Sequence, residues 1–352
     1  MQSKIHKEIY TLESHEGTVV SIIQPFPHSD ILLSLGTDNC VEMWNISLGN
    51  FLNEICRDAC PTKICALKTL DFLLIPKWNN TFALIDLQIF RMTQNMLKEL
   101  DFSECETIYE GHGSWVLDVL EFTKNTKYFK KHFATCSRDK SIRIWDAKNR
   151  NCLLIFEHDN IVNNIIEIDS SRIASSSSDT TIRVWDLESE DLVQCIKDGE
   201  TSVFQVEKIE GGDCLITRNE SNSLRIWDYI EGELVKELKE HSTNIICLKM
   251  LRNHRCMTGS YDHTAKVLSL KDYSCIFTLV GHSFTVYALE ELNNGLYVTG
   301  GGDGKVKVWD FKDGKCIKTF GNHSGYVVTL HVLKNNEIIS GAYDGTLKIF
   351  KL

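Results

Sequence analysis

At 352 residues, with 43% hydrophobic and 24% charged side chains, the chain carries enough apolar material for a buried core and too little charge for a disordered one. A formal net charge of −10 sets the surface against phosphate backbones and anionic membranes, which disfavours nucleic acid as a partner, and no apolar run approaches the ~18 residues of a membrane-spanning helix. Thirteen cysteines without a CxxC pair, and an N-terminus without an apolar run behind its charges, lead us to expect reduced thiols in a cytoplasmic or nuclear protein that needs no cofactor and no metal.

The first predicted element is a strand in HKEIYTLESHEG (6–17), whose register matches CIKTFGNHSG (316–325) near the other end of the chain. It precedes the first full unit and is expected to complete the last one. From there the chain reads as strands and turns without helical periodicity. In HSFTVYALEELNNGLYVTGGGDGKVKVWDFKDGKCIKTF (282–320), short alternating runs are divided by turn residues such as Asn293-Asn294-Gly295 and Asp313-Gly314. The end of the third strand marks each unit and puts Trp44, Ile85, Trp145, Trp185, Trp227, Leu268, Trp309 and Phe350 at equivalent positions, evenly spaced but for one interval.

One interval, between Ile85 and Trp145, is wide and holds an insertion at 87–102. Within it, LQIFRMTQNMLKEL (87–100) places Ile89, Phe90, Met92, Met96, Leu97 and Leu100 on one helical stripe, expected either to cap blade edges or to dock a partner. The third unit has a lengthened hairpin, FTKNTKYFKKHF (122–133). There Lys124, Lys127, Lys130 and Lys131 surround Tyr128 and Phe129, a solvated loop or a dock for an acidic partner. A four-stranded sheet with two apolar faces cannot bury both alone, so neighbouring sheets must stack around an axis. The expectation is an all-β, eight-bladed β-propeller in one domain spanning 1–352, with its ends joined in the last blade. Unit two is the weakest, and seven blades would remain if 53–102 were only an insertion.

The polar pattern is as regular as the apolar one. Gly111-His112 and Gly281-His282 open units, and Trp-Asp closes third strands at 145/146, 185/186, 227/228 and 309/310. This grammar resembles the WD40 repeat family over essentially the whole chain. The resemblance implies structural tetrads of His15, Ser34, Asp38 and Trp44; His112, Thr135, Asp139 and Trp145; His158, Ser175, Asp179 and Trp185; and His282, Thr299, Asp303 and Trp309. Units six and eight keep His241, Thr258, Asp262 and His323, Ser340, Asp344, with Leu268 and Phe350 in place of Trp. Unit five has Gly199 and Ser221 where His and Asp belong, and unit two has Cys60, Ile75, Asn79 and Ile85.

A His, hydroxyl and Asp that recur blade after blade speak against catalysis, which needs one exposed set. GGGDGK (300–305) lies between two strands and lacks the helix start that phosphate cradling uses. CRDAC (56–60) is the nearest approach to a metal knuckle, and Cys105, Cys152, Cys275 and Cys316 recur at one equivalent place, expected to be small buried hydrophobes.

In propellers of this kind the resemblance further implies that three positions per blade line the top mouth of the channel. Here that set contains Trp78, Trp115, Phe204, Tyr261, Tyr287, Tyr326 and Tyr343, with Arg138 as its single arginine. Aromatic rings of this kind dominate binding hot spots. The implied function is a non-catalytic scaffold that binds a short peptide or loop of a protein partner, with Arg138 pairing a carboxylate or phosphate. The alternative is a substrate-recognition subunit of a ubiquitin-ligase-type complex reading a phosphorylated or acidic peptide. That role departs from the family pattern, because one arginine is not a cluster and the adaptor would have to sit on another chain.

Overall fold

The computed structural model describes residues 8–13, 15–26, 29–123, 131–321 and 323–352. Among them, 32 strands form eight antiparallel four-stranded sheets, seven of them built from consecutive strands. The eighth takes Val327–Val332, Ile338–Ala342 and Thr346–Phe350 from the chain's end and Glu8–Glu13 from its beginning. Leu12 pairs with Leu347 and Glu13 with Thr346, so the expected closure is present.

The turn between second and third strands explains why Asp recurs. Its carboxylate accepts the backbone N–H two residues on, from Cys40, Ser141, Thr181, Thr264, Lys305 and Thr346 in six blades. The residue between takes a positive φ, as at Asn39, Lys140, Thr180, His263, Gly304 and Gly345. The two departing blades keep the device with other side chains: Asn79 Oδ1 accepts from Thr81 N, and Ser221 Oγ from Ser223 N.

Apolar faces are buried between blades, as the stacking argument requires. One cluster joins Met257, Ala265 and Val267 of blade six to Val286, Leu289 and Trp309 of blade seven. Another joins Ile339, Leu347 and Ile349 of blade eight to Val19, Ile22, Leu32 and Trp44 of blade one, with Leu12 between them. Each such Val, Leu, Ile or Met side chain contributes about 1.5–3 kcal/mol when fully buried.

Blade two is a full blade, with strands Cys65–Leu67, Phe72–Pro76, Phe82–Asp86 and Thr107–Tyr109, which excludes the seven-bladed alternative. Its insertion corrects the expectation of one helical stripe. The segment is a 3-10 helix at Leu87–Arg91, a short α-helix at Gln94–Glu99 and a second 3-10 turn at Phe102–Cys105. The break follows from Met92 and Thr93, which are both extended. Phe90 and Leu97 are buried against Leu52 and Ile55 of blade one, while Met92 and Met96 are exposed. Asn53 on the outer strand of blade one donates to the carbonyls of Leu97 (2.7 Å) and Leu100 (3.0 Å), closing the helix end. The insertion therefore caps the edge of blade one.

The four recurrent cysteines also need correction. Cys152, Cys275 and Cys316 begin fourth strands, where they are half-buried or exposed, and Cys105 ends a 3-10 turn. The fourth strand is the outer edge of a blade, so one of its faces has no neighbouring sheet. Of the Lys-rich hairpin, Lys124, Lys127 and Lys130 lie outside the described residues, as do Tyr128 and Phe129, and Lys131 is exposed in a turn.

Candidate binding surface at the channel mouth

Four blades join their His, hydroxyl, Asp and Trp side chains into continuous chains of hydrogen bonds. In blade three His112 Nδ1–H donates to Asp139 at 2.8 Å, Nε2 meets Thr135 Oγ1 at 2.7 Å, and Trp145 Nε1–H donates to that hydroxyl at 2.8 Å. His15, Ser34, Asp38 and Trp44 repeat the pattern, as do His158, Ser175, Asp179 and Trp185, and His282, Thr299, Asp303 and Trp309. Blades six and eight keep the His, hydroxyl and Asp contacts without the Trp. The order of groups matches a hydrolytic triad, yet each hydroxyl is 0% exposed, so no substrate carbonyl reaches it. The chain instead satisfies polar groups that close packing would strand.

These contacts make the protein acid-sensitive. Burial holds the His112, His158 and His241 imidazoles below their ordinary range against the opposing pull of their aspartates. Burial pushes the Asp262, Asp303 and Asp344 carboxyls up, but hydrogen bonds and the facing imidazoles outweigh it and bring them to about 2. In both cases the unfolded chain takes up protons first, so stability falls as pH drops. The histidines act below 6.5 and the aspartates below 3.8, their ordinary values. Asp198, whose carboxyl burial raises, acts in the opposite sense but is outnumbered. Melting temperatures should decline between pH 7 and 5 and fall steeply below 4; a flat profile down to pH 4 would contradict this.

Blade five replaces the imidazole with a carboxylate, one residue away from the position that alignment from Val203 indicates. Asp198 N donates to Thr180 O just as His158 N donates to Lys140 O, so Asp198, not Gly199, occupies the histidine place. Its carboxylate is fully buried and accepts from Thr217 Oγ1 (2.7 Å), Trp227 Nε1 (2.6 Å) and Asn219 Nδ2 (2.7 Å). Blade two uses an ammonium instead. Lys77 Nζ, almost wholly buried, bonds Asp58 Oδ1 at 2.9 Å and Glu106 Oε2 at 2.6 Å, tying the end of the insertion to the loop that enters the blade. Cys56, Asp58 and Glu106 bring ligand-type atoms within 4.8 Å of one another, with this ammonium held by both carboxylates. Cys60 and Ile75 of the same blade are buried.

At the same end of the ring, the residue before each turn Asp meets the residue that precedes the first strand. Arg138 N donates to Trp115 O, Tyr261 N to Asn244 O, Gly302 N to Thr285 O and Tyr343 N to Tyr326 O. The side chains expected at the mouth fall into three groups. Trp78 meets Trp115 edge-on at 4.4 Å and donates from Nε1 to Asn39 Oδ1, and the Arg138 guanidinium lies 4.4 Å over the Trp115 ring. Phe204 lies under the Arg218 guanidinium at 5.3 Å.

The third group spans blades six to eight. Tyr326 stacks with Phe284 at 5.3 Å and with Tyr287 at 5.8 Å, and meets Tyr343 at 5.4 Å; His263 stacks on Phe284. Burial first, and then the fields of Tyr261, Tyr326 and Tyr343, raise the Tyr287 phenol. Tyr343 is 59% exposed and Tyr261 49%. Phe284 and His263 are the members that sequence reading missed. The signal was Gly302, where a Cβ would come within 2.4 Å of the Phe284 ring.

Eight stacked four-stranded blades, pinned by buried His, hydroxyl and Trp chains and closed by the chain's first strand, define a repeat β-propeller. The family model for the WD40 repeat, described as WD domain, G-beta repeat, matches residues 6–45, 103–146, 150–186, 232–269, 273–310 and 314–351, and the chain belongs to this family. The inner strands of blades two and five, the two without the tetrad histidine, lie outside the matched segments. Among solved structures, the chain is similar to the computationally designed Ika8 protein, with 20% identity, a TM-score of 0.80, and 98% of this chain and 100% of that one covered. It is also similar to the WD40 β-propeller domain of Doa1, with 16% identity, a TM-score of 0.61, and 99% and 97% covered. At these identities the likeness concerns the fold. Comparison with the curated proteins finds no match.

Proposed function

We propose that the protein is a non-catalytic interaction scaffold that binds a short peptide or loop of a protein partner at the mouth of its channel. WD40 propellers generally bind protein partners. The observation that carries the reading is the set of partly exposed aromatic clusters, with Tyr326 at the centre of one group and Trp115 at the centre of another. Rings held in place by their neighbours lose little conformational entropy on binding, and each buries a large apolar area.

The test is affinity capture from the native cell with the intact chain and with Trp115→Ala combined with Tyr326→Ala. Both residues are partly exposed and neither belongs to a tetrad, so the double variant should melt near the intact protein. Two hot-spot truncations should weaken capture at least ~100-fold. Unchanged capture by a folded double variant would remove this proposal.

A further inference from the structure

One place after the buried hydroxyl of the second strand, the blades carry residues with no room or no charge. In blades six to eight it is Gly259, Gly300 and Gly341, where a Cβ would come within 2.7 Å, 2.6 Å and 2.7 Å of the facing Val286, Val327 and Val19. In blades one, three and four it is Leu35, Cys136 and Ser176, each fully buried. Blade five puts Arg218 there. Its guanidinium reaches the top of the first strand of blade six, where Nη1 donates to Ile245 O at a long 3.4 Å. Nε is enclosed and has no partner, and no carboxylate among the described residues pairs with the charge. The Cys247 thiol beside it cannot neutralise it, because burial pushes that thiol up to about 12.

Two other cations, by contrast, are paired. Lys63 meets Asp118 at 2.7 Å, and Lys249 meets Glu290 at 2.7 Å. A half-buried charge without a counter-charge lowers stability, and natural chains break such a rule mainly where function asks for it. Arg218 lies against Phe204, a partly exposed ring of the mouth. Burial also draws the guanidinium below its ordinary range.

We infer that Arg218 is the receptor for an anionic group, a carboxylate or a phosphoryl group, carried by the occupant of the mouth. The planar guanidinium, braced by Phe204 and by Ile245 O, turns its remaining donors to two oxygens of one ligand. This inference rests on the mouth being the binding surface and names the chemistry its occupant must bring. Arg138, exposed on Trp115, is a separate cation of the rim.

The experiment uses small anions, so it does not depend on finding the partner. Inorganic phosphate and acetate are each titrated against the full chain in chloride buffer of matched ionic strength, and the melting temperature is followed for the intact protein and for Arg218→Met. Phosphate should raise the melting temperature saturably, by about 2 °C at a tenfold excess over Kd. Arg218→Met should abolish that rise and, with no anion present, melt no lower than the intact chain. An equal response to acetate assigns a carboxylate, and a response to phosphate alone assigns a phosphoryl group. The inference is overturned if neither anion acts saturably, if the effect persists in Arg218→Met, or if that variant alone melts well below the intact protein, since the guanidinium would then be serving the fold. Loss of the mouth reading in the capture experiment would leave a positive anion result standing, and the reverse holds as well.

Discussion

A chain lacking residues 1–13 should lose its cooperative unfolding transition and aggregate at concentrations where the intact protein stays dispersed. Removing the strand Glu8–Glu13 uncovers the whole outer edge of Thr346–Phe350, a row of unpaired backbone groups that invites pairing with another chain. It also opens the seam between blades eight and one. Leu12 is 2% exposed among Leu347, Ile349, Leu32 and Trp44, and truncating that one side chain to alanine should alone cost ~2–5 kcal/mol. Tyr10 reaches further, donating from its hydroxyl to Ser47 O of blade one at 3.2 Å and lying across Gly49, where a Cβ would come within 2.3 Å of its ring.

The strand thus completes one blade and touches the next. Its loss should approach the whole folding stability, ~5 kcal/mol or more. Thermal and urea melts followed by circular dichroism, with light scattering alongside, measure both consequences. If the shortened chain melts cooperatively at the temperature of the intact one, the ring is not held by its two ends.

Asp198→Ala should be the most damaging single substitution of a polar side chain, at ~3–5 kcal/mol. The carboxylate is 0% exposed and is the shared acceptor for Trp227, Thr217 and Asn219. Alanine leaves the indole N–H with only Thr217 Oγ1, at 3.3 Å, and leaves Asn219 Nδ2 without this acceptor in a buried site. It also deprives Arg225 of Asp198 Oδ2, 3.4 Å away, although Glu237 remains at 3.5 Å. Asp198→Asn keeps one oxygen for the indole and the threonine and should cost only ~1–2 kcal/mol. Urea midpoints of the two variants against the intact chain decide the matter. An alanine variant within ~0.5 kcal/mol of the intact protein would show that the blade does not depend on this carboxylate.

Much of this architecture was legible in the order of residues. Alternation with a period of two marks each strand, and the recurrence from Trp44 to Phe350 counts the blades, because each blade repeats the same local problem with the same residues. The match between 6–17 and 316–325 pointed to the closure for the same reason. Recurrence is also why reading failed where blades depart from it. In blade five one extra residue separates the buried acid from Val203, so counting back from the strand lands on Gly199. In blade two, Lys77, Asp58 and Glu106 come from three separate segments that no spacing connects.

The mouth divides along the same line. The resemblance to the repeat family implied rim positions for Trp78, Trp115, Arg138 and the four tyrosines. Only packing decided that Tyr287 and Tyr343 gather around Tyr326 with Phe284 and His263, and that Arg218 stands without a carboxylate. Local periodicity is set by backbone geometry within one sheet and is written along the chain. Which side chains share a site depends on how sheets from distant segments rotate past one another, and that is decided when the ring closes.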